Sequence, residues 1–181
     1  MHRRVPVVRA EPEVRQPERD ARQRRGADLF ASAGGGIDIR ELSDAEVDRI
    51  GDRLPLARFP GHQTYLVAWD GDEPVAQAHI AWVRTMLGVP EAQDVFVREE
   101  RRREGIGEAV MLAVERAVTG RGHRQVSLSY GIANTAARRF YERLGYRSAG
   151  IEPQRVQGTI IVRSGPLEVD DTLIYLVKDL A

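Results

Sequence analysis

No cysteine occurs among the 181 residues, which excludes a disulfide framework, a cysteine metal cluster and a thiol nucleophile. Any chemistry must therefore use oxygen, nitrogen or a borrowed cofactor, and the redox compartment cannot be read from cysteine usage. The chain also lacks a surplus of either charge, because 27 acidic side chains balance 27 basic ones and the sequence pI is near 6.9. A nucleic-acid binder normally carries a basic excess to displace counterions from phosphates, so no nucleic-acid partner is expected. No apolar run approaches the roughly 18 residues of a membrane span, and the N-terminus lacks the apolar stretch of a secretory signal. A cytoplasmic protein without a membrane partner is the expectation. What is present, 42% hydrophobic and 30% charged residues, fits one soluble domain with a core, preceded by a tail.

Residues 1–36 form the expected tail. Arg3, Arg4, Arg9, Arg15, Arg19, Arg22, Arg24 and Arg25 alternate with Pro and Glu up to Gly34-Gly35-Gly36, a composition that buries too little apolar surface to offset its ordering entropy. Disorder is expected there, and residues 37–181 are expected to form a single domain. Ile37 to Glu41 reads as a strand, and Ser43-Asp44-Ala45-Glu46 has capping-box spacing, which predicts a helix running to about Arg53. Pro55, Pro60 and Gly61 then impose a loop. Thr64 to Trp69 and Pro74 to Val83 read as two strands joined by the hairpin signal Asp70-Gly71-Asp72. Another strand is expected over Ala92 to Val97. Ile106, Ala109, Val110, Ala113, Val114 and Ala117 then recur at helical spacing until Gly120. A strand around Val126 and Leu128 precedes a helix capped by Asn134, with Ala137, Phe140 and Leu144 inward and Gly145 closing it. A terminal hairpin is expected from Thr159 to Val162 and Leu167 to Val177, turning at Ser164-Gly165-Pro166.

The stretch from Asp94 to Gly107 runs from a strand through a basic, glycine-containing loop into an apolar helix. Gly105 and Gly107 let the backbone approach a ligand, while the first helical turn offers unpaired N–H groups and the positive end of the helix dipole. An anion belongs there, with Arg102 and its neighbours adding charge-assisted bonds to phosphate oxygens. The alternative is a solvated arginine run before an ordinary helix. A Walker loop is excluded by the missing Gly-Lys-Ser/Thr end, and the full dinucleotide fingerprint by Val110.

Arg102-Arg103-Glu104-Gly105-Ile106-Gly107 resembles the Arg/Gln-x-x-Gly-x-Gly/Ala signature of the GNAT superfamily of N-acetyltransferases. Asn134-x-x-Ala137-x-x-x-Tyr141-Glu142-x-Leu144-Gly145-Tyr146 looks like that family's second signature, in the correct order. The resemblance covers about Ile37 to Lys178. It departs at Glu99, where many members have Pro. It implies an α/β (α+β) fold with a mixed, mostly antiparallel central sheet, a splayed parallel strand pair and flanking helices. It further implies acetyl-CoA as cosubstrate, no metal, and an acetyl group passed to a primary amine, with a small-molecule amine acceptor favoured. Family habit allows a homodimer. By the resemblance, Arg102, Arg103, Glu104, Gly105, Ile106, Gly107 and Glu108 hold the pyrophosphate, and the strand residues Val95, Phe96 and Val97 pair with the pantetheine arm. Asn134 holds that arm, and the Tyr141 hydroxyl lies near the thioester sulphur.

Independently of the resemblance, seven residues of helix bring Asn134 and Tyr141 to nearly one face, about 10 Å apart. The alternative reading is an N-cap and a half-buried aromatic. Direct attack in a ternary complex needs a proton acceptor for the amine and a donor for the departing thiolate. Tyr141 is the candidate acid and Asp94 the first candidate base, since period two puts it on the face of Phe96. Glu91 is the second choice, and His79 suits a base acting through water. Tyr65 and Trp82 are candidate acceptor-pocket residues, and Asp170 and Asp171 are candidates to attract a cationic substrate. Acetylation of a protein N-terminus or lysine, a catalytically silent acyl-CoA-binding regulatory domain and a nucleotide-binding module are the competing readings.

Overall fold

The computed structural model describes residues 36–58 and 63–181. The expected tail lies outside the described residues except for Gly36, as do Pro60 and Gly61 of the expected loop. In chain order the elements are β1 (Ile37–Leu42), α1 (Asp44–Ile50), β2 (Thr64–Asp70), β3 (Glu73–Ala81), β4 (Glu91–Val97), α2 (Ile106–Gly120), β5 (Gln125–Gly131), α3 (Thr135–Arg143), β6 (Arg147–Ser148), β7 (Gln154–Val162) and β8 (Gly165–Asp179). Short 3-10 turns occupy Pro55–Arg58 and Glu99–Arg101.

The strands form one sheet in the order β1-β2-β3-β4-β5-β8-β6, with β7 paired to β8. Every pairing is antiparallel except β4 with β5. The expected mixed, mostly antiparallel sheet with helices is therefore the fold observed. The parallel pair is joined only through Glu91↔Ser127 and Ala92↔Leu128, so β4 and β5 diverge beyond Ala92.

Both faces of the sheet are covered, which is why β2 reads as a continuous apolar run. Leu66 and Ala68 face a core shared with Val110, Met111, Ala113 and Val114 of α2. Tyr65, Val67 and Trp69 face the opposite way, onto Val47 and Ile50 of α1. Burying each such side chain contributes about 1.5–3 kcal/mol, enough to hold α1 although it has only seven residues. The predicted capping box starts α1, because Ser43 accepts from the Glu46 N–H while Glu46 accepts from the Ser43 N–H at 2.9 Å. The helix ends at Ile50, three residues short of the expectation, as Gly51 leads into a turn.

Further boundaries differ. β3 stops at Ala81. β7 begins at Gln154, five residues before the predicted start, because its polar residues Gln154, Arg155 and Gln157 give no apolar alternation. The hairpin turns at Arg163-Ser164, with Val162 paired to Gly165.

Candidate active site

Where β4 leaves β5, a cleft of about 690 Å³ opens, within the range typical of small-molecule sites. One wall is β4 from Val95 to Val97, and another is the loop and first turn of α2, with Arg102, Arg103, Gly105, Gly107 and Glu108. The third is α3, with Asn134, Ala136, Ala137, Phe140, Tyr141 and Arg143. Gly105 caps α2 in the left-handed conformation, φ +82°, which a side chain would resist. At Gly107 the need is space: a Cβ there would lie 3.4 Å from both Phe140 and Val97. The first backbone N–H groups of α2 have no intrahelical partner and carry the positive end of its dipole. With Arg102 and Arg103 beside them, the cleft has a cationic end, while Val95, Val97, Ala137 and Phe140 give it apolar walls.

The strand at this cleft is bulged. Gln93 pairs with His79 and Phe96 with Gln77, so three steps on β4 oppose two on β3, and Asp94 takes φ +47°. The extra residue bends the strand and changes which way it faces. Ala92, Val95 and Val97 contact the α2-side core, whereas Phe96 packs against the α1-side core. Asp94 also turns to that second face, its Oδ2 lying 3.6 Å from His79 Nδ1. Asp94 and Phe96 thus share a face as expected, across the bulge.

A chain of polar side chains runs through this face. His79, only 1% exposed, stacks at 5.3 Å on Tyr65. Its Nε2 lies 3.0 Å from Gln93 Oε1, and Gln93 Nε2 donates to Glu91 Oε1 at 3.1 Å. Since the Gln93 amide donates to Glu91, its oxygen accepts from His79, which puts a proton on Nε2. Glu91 is 4% exposed, and burial raises its carboxyl above the ordinary carboxylate range against the opposing hydrogen bond from Gln93. Burial also pushes the Tyr141 hydroxyl up to about 12, so it keeps its proton at any working pH. Tyr141 is the one residue of α3 that is fully buried. Ala137, Phe140 and Leu144, the expected inward stripe, are half-buried around it.

Val95, Phe96, Val97, Arg102, Arg103, Gly105, Gly107, Glu108, Asn134 and Tyr141 meet at the cleft. Two residues singled out with them turn elsewhere: Ile106 is buried in the core at 3% exposure, and Glu104 pairs with Arg101 at 2.9 Å. Asn134 is also an N-cap, accepting from the Ala137 N–H at 3.0 Å. Arg102 Nε donates to the Val97 carbonyl at 3.2 Å. Trp82 does not line this cleft. Its indole donates to Thr64 at 2.9 Å beneath the Arg121 guanidinium. Asp170 pairs with Arg155 at 3.0 Å, and Asp171 accepts from the Thr172 N–H at 2.7 Å. Sequence reading missed Ala136, Phe140 and Arg143 as cleft residues; their spacing of four and then three residues was the available signal.

Among the described residues no cluster of acidic, histidine or cysteine side chains could hold a metal ion, and no helix is long and apolar enough to cross a membrane.

The model of the acetyltransferase (GNAT) family matches residues 37–146. No curated protein matches the chain. Solved structures of similar fold include the IAA acetyltransferase from Bacillus cereus ATCC 14579, with 17% identity and a TM-score of 0.59 over 80% of this chain and 99% of that one. The ribosomal-protein-S18-alanine N-acetyltransferase from Escherichia coli has 18% identity and a TM-score of 0.56, over 80% and 94%. A GNAT family acetyltransferase from Elizabethkingia anophelis, solved with acetyl-CoA bound, has 15% identity and a TM-score of 0.54, over 81% and 100%. At such identities the likeness is one of fold.

Proposed function

Because the chain belongs to the GNAT family of acetyltransferases, and so is an acyltransferase, we propose that it moves an acetyl group from acetyl-CoA to the primary amine of a small molecule. The observation that carries this reading is one cleft with a cationic helix N-terminus at one end and a diverging strand pair along its side. Arg102, Arg103 and the first N–H groups of α2 bind the pyrophosphate. Residues 95–97 of β4 have no β5 partner, so their backbone groups pair with the pantetheine amides as an added strand would. Glu104 and Ile106 contribute only main-chain groups, since their side chains turn away.

In a ternary complex the amine nitrogen attacks the thioester carbonyl, the C–S bond breaks, and the thiolate leaves. Most of the acceleration comes from holding both reactants in line. A backbone N–H at the bulge polarises the carbonyl. Tyr141 donates a hydrogen bond to the leaving sulphur. With its hydroxyl pushed up to about 12 and a free thiol near 8.5, outright proton transfer is uphill, so stabilisation of the thiolate is the stronger part of its role.

Asp94 and Glu91 differ as proton acceptors. Asp94 stands at the bulge beside His79, close to where the amine would enter. Glu91 is deeper, and its raised affinity for a proton suits a base working near neutral pH through water. We assign the amine proton to this acidic face, with Asp94 at the bulge and Glu91 as the carboxyl whose proton affinity burial raises.

Calorimetric titration with acetyl-CoA, CoA and ATP tests the scaffold. Micromolar binding of both CoA species without ATP is expected, and absence of CoA binding would remove the proposal. A panel of small amines, peptides with free N-termini and lysine peptides, read by thiol release, then separates the acceptor classes. CoA binding without thiol release across the panel would favour an acyl-CoA-binding regulatory domain.

A further inference from the structure

We propose that Tyr146 is a positioning residue for Tyr141: its ring, pinned by the ion pair of Lys178 with Glu115, holds the Tyr141 side chain in a fixed place relative to α2. The consequence for catalysis rests on the role given to Tyr141 above, whereas the bracing of its ring does not.

α3 needs such a brace. It has nine residues, too few to be stable as a helix on their own, and Tyr141 is its one buried side chain. Two rings flank that side chain, Phe140 at 5.1 Å and Tyr146 at 6.0 Å between centroids. Phe140 belongs to the same helix and moves with it. Tyr146 lies beyond α3. Gly145, at φ +88°, turns the chain back, and the Tyr146 N–H then donates to the Tyr141 carbonyl at 3.1 Å. The two tyrosine rings meet edge-on, an arrangement that aromatic pairs favour.

What fixes Tyr146 comes from two distant elements. It is 3% exposed, and its hydroxyl is buried beside the Glu115 carboxylate of α2. Lys178 of β8 places its ammonium 5.5 Å from the ring centre, within reach of a cation–π contact. The same ammonium donates to both oxygens of Glu115 at 2.8 Å. The Lys178 and Glu115 side chains are only 24% and 12% exposed, so solvent screens this pair less than the surface ion pairs. α2, β8 and the segment behind α3 are thereby tied at one point. The helix whose first turn lines the cationic end of the cleft thus also sets where Tyr141 stands.

Lys178 is the only lysine among 27 Lys and Arg residues. Its stem runs past Gly145, where a Cβ would lie 3.8 Å from Lys178 Cε. A compact ammonium on an unbranched stem suits that passage better than a planar guanidinium fork.

Fluorine NMR on the full chain, with 3-fluorotyrosine incorporated at position 141 alone, tests the bracing directly. One narrow signal is expected for the otherwise wild-type chain and for Tyr146→Phe, which keeps a ring under Lys178. Broadened or doubled signals are expected for Tyr146→Leu and for Lys178→Met/Glu115→Gln. The paired substitution removes both charges together, so neither is left buried without its partner, and it decides the matter if Tyr146→Leu fails to fold. An unchanged signal in the paired variant would overturn the bracing. Thiol release from acetyl-CoA with benzylamine reads the consequence. Tyr146→Leu should lower kcat about tenfold with KM for acetyl-CoA changed less than twofold, and Tyr146→Phe should keep at least half the rate. In a Tyr141→Phe background, Tyr146→Leu should cost less than a further twofold, because it acts through that hydroxyl. Equal losses in both backgrounds would make Tyr146 merely structural and overturn its positioning role. If wild type releases no thiol, or Tyr141→Phe leaves turnover unchanged, while the fluorine signals behave as stated, the bracing stands and the reading above fails.

Discussion

Gln93 holds the buried carboxyl of Glu91 through a 3.1 Å hydrogen bond, and burial outweighs that bond, so the carboxyl retains its proton to higher pH than usual. This pairing continues to His79 and to the bulge at Asp94, on the face proposed for the acceptor.

Activity should therefore rise with pH through the raised ionisation of Glu91, since only its ionised form accepts the amine proton. Glu91→Gln should flatten that acid limb and lower kcat at least tenfold; an unchanged pH profile would leave Asp94 as the base. Stability gives an independent reading. A folded carboxyl with raised proton affinity costs stability as pH climbs from its ordinary 4.5 through the folded value. Thermal unfolding should show Glu91→Gln raising Tm at pH 8 relative to wild type, with little gain at pH 4.

Tyr141→Phe should reduce kcat about tenfold or more while changing acetyl-CoA affinity by less than threefold. Because burial pushes the hydroxyl up to about 12, no loss of rate from its ionisation is expected below about pH 11. Steady-state kinetics beside calorimetric binding check both points, and unchanged turnover would end its role at the sulphur.

Gly107→Asp should abolish CoA binding. The new Cβ meets Val97 and Phe140 at 3.4 Å, and its carboxylate brings negative charge to the end of the cleft proposed for the pyrophosphate. Calorimetry on a variant with wild-type circular dichroism decides this. Normal binding would place the pyrophosphate elsewhere.

Residues 37–181 are proposed as the complete folding unit. Deleting residues 1–36 should alter the urea midpoint and the acetyl-CoA affinity by less than about twofold in either equilibrium constant. A larger loss in either would make the N-terminal segment part of the domain.

Much of the fold was legible because its signals are local. The Ser43–Glu46 cap, the Asp70-Gly71-Asp72 turn and the apolar spacing of α2 act within a few residues. Even so, the sequence pattern starts β7 five residues late, because a strand whose outer face meets water shows no apolar alternation where Gln154, Arg155 and Gln157 stand. The cleft was legible in part: the two motifs supplied its cationic loop and Tyr141, but not Arg143 or Phe140, whose helix face is defined only by what it opposes.

By itself, the sequence determined the order of strands and helices, the basic glycine-containing loop and the family resemblance, since each rests on spacing along one segment. Only the tertiary structure decided that β4 bulges at Asp94, that Glu91 holds its proton tightly, and that Lys178 meets Glu115 across 63 residues of chain. The physical reason is common to all three. Strand register, desolvation and long-range ion pairing are set by neighbours that distant segments bring together, and none of them is encoded at the residue on which it acts.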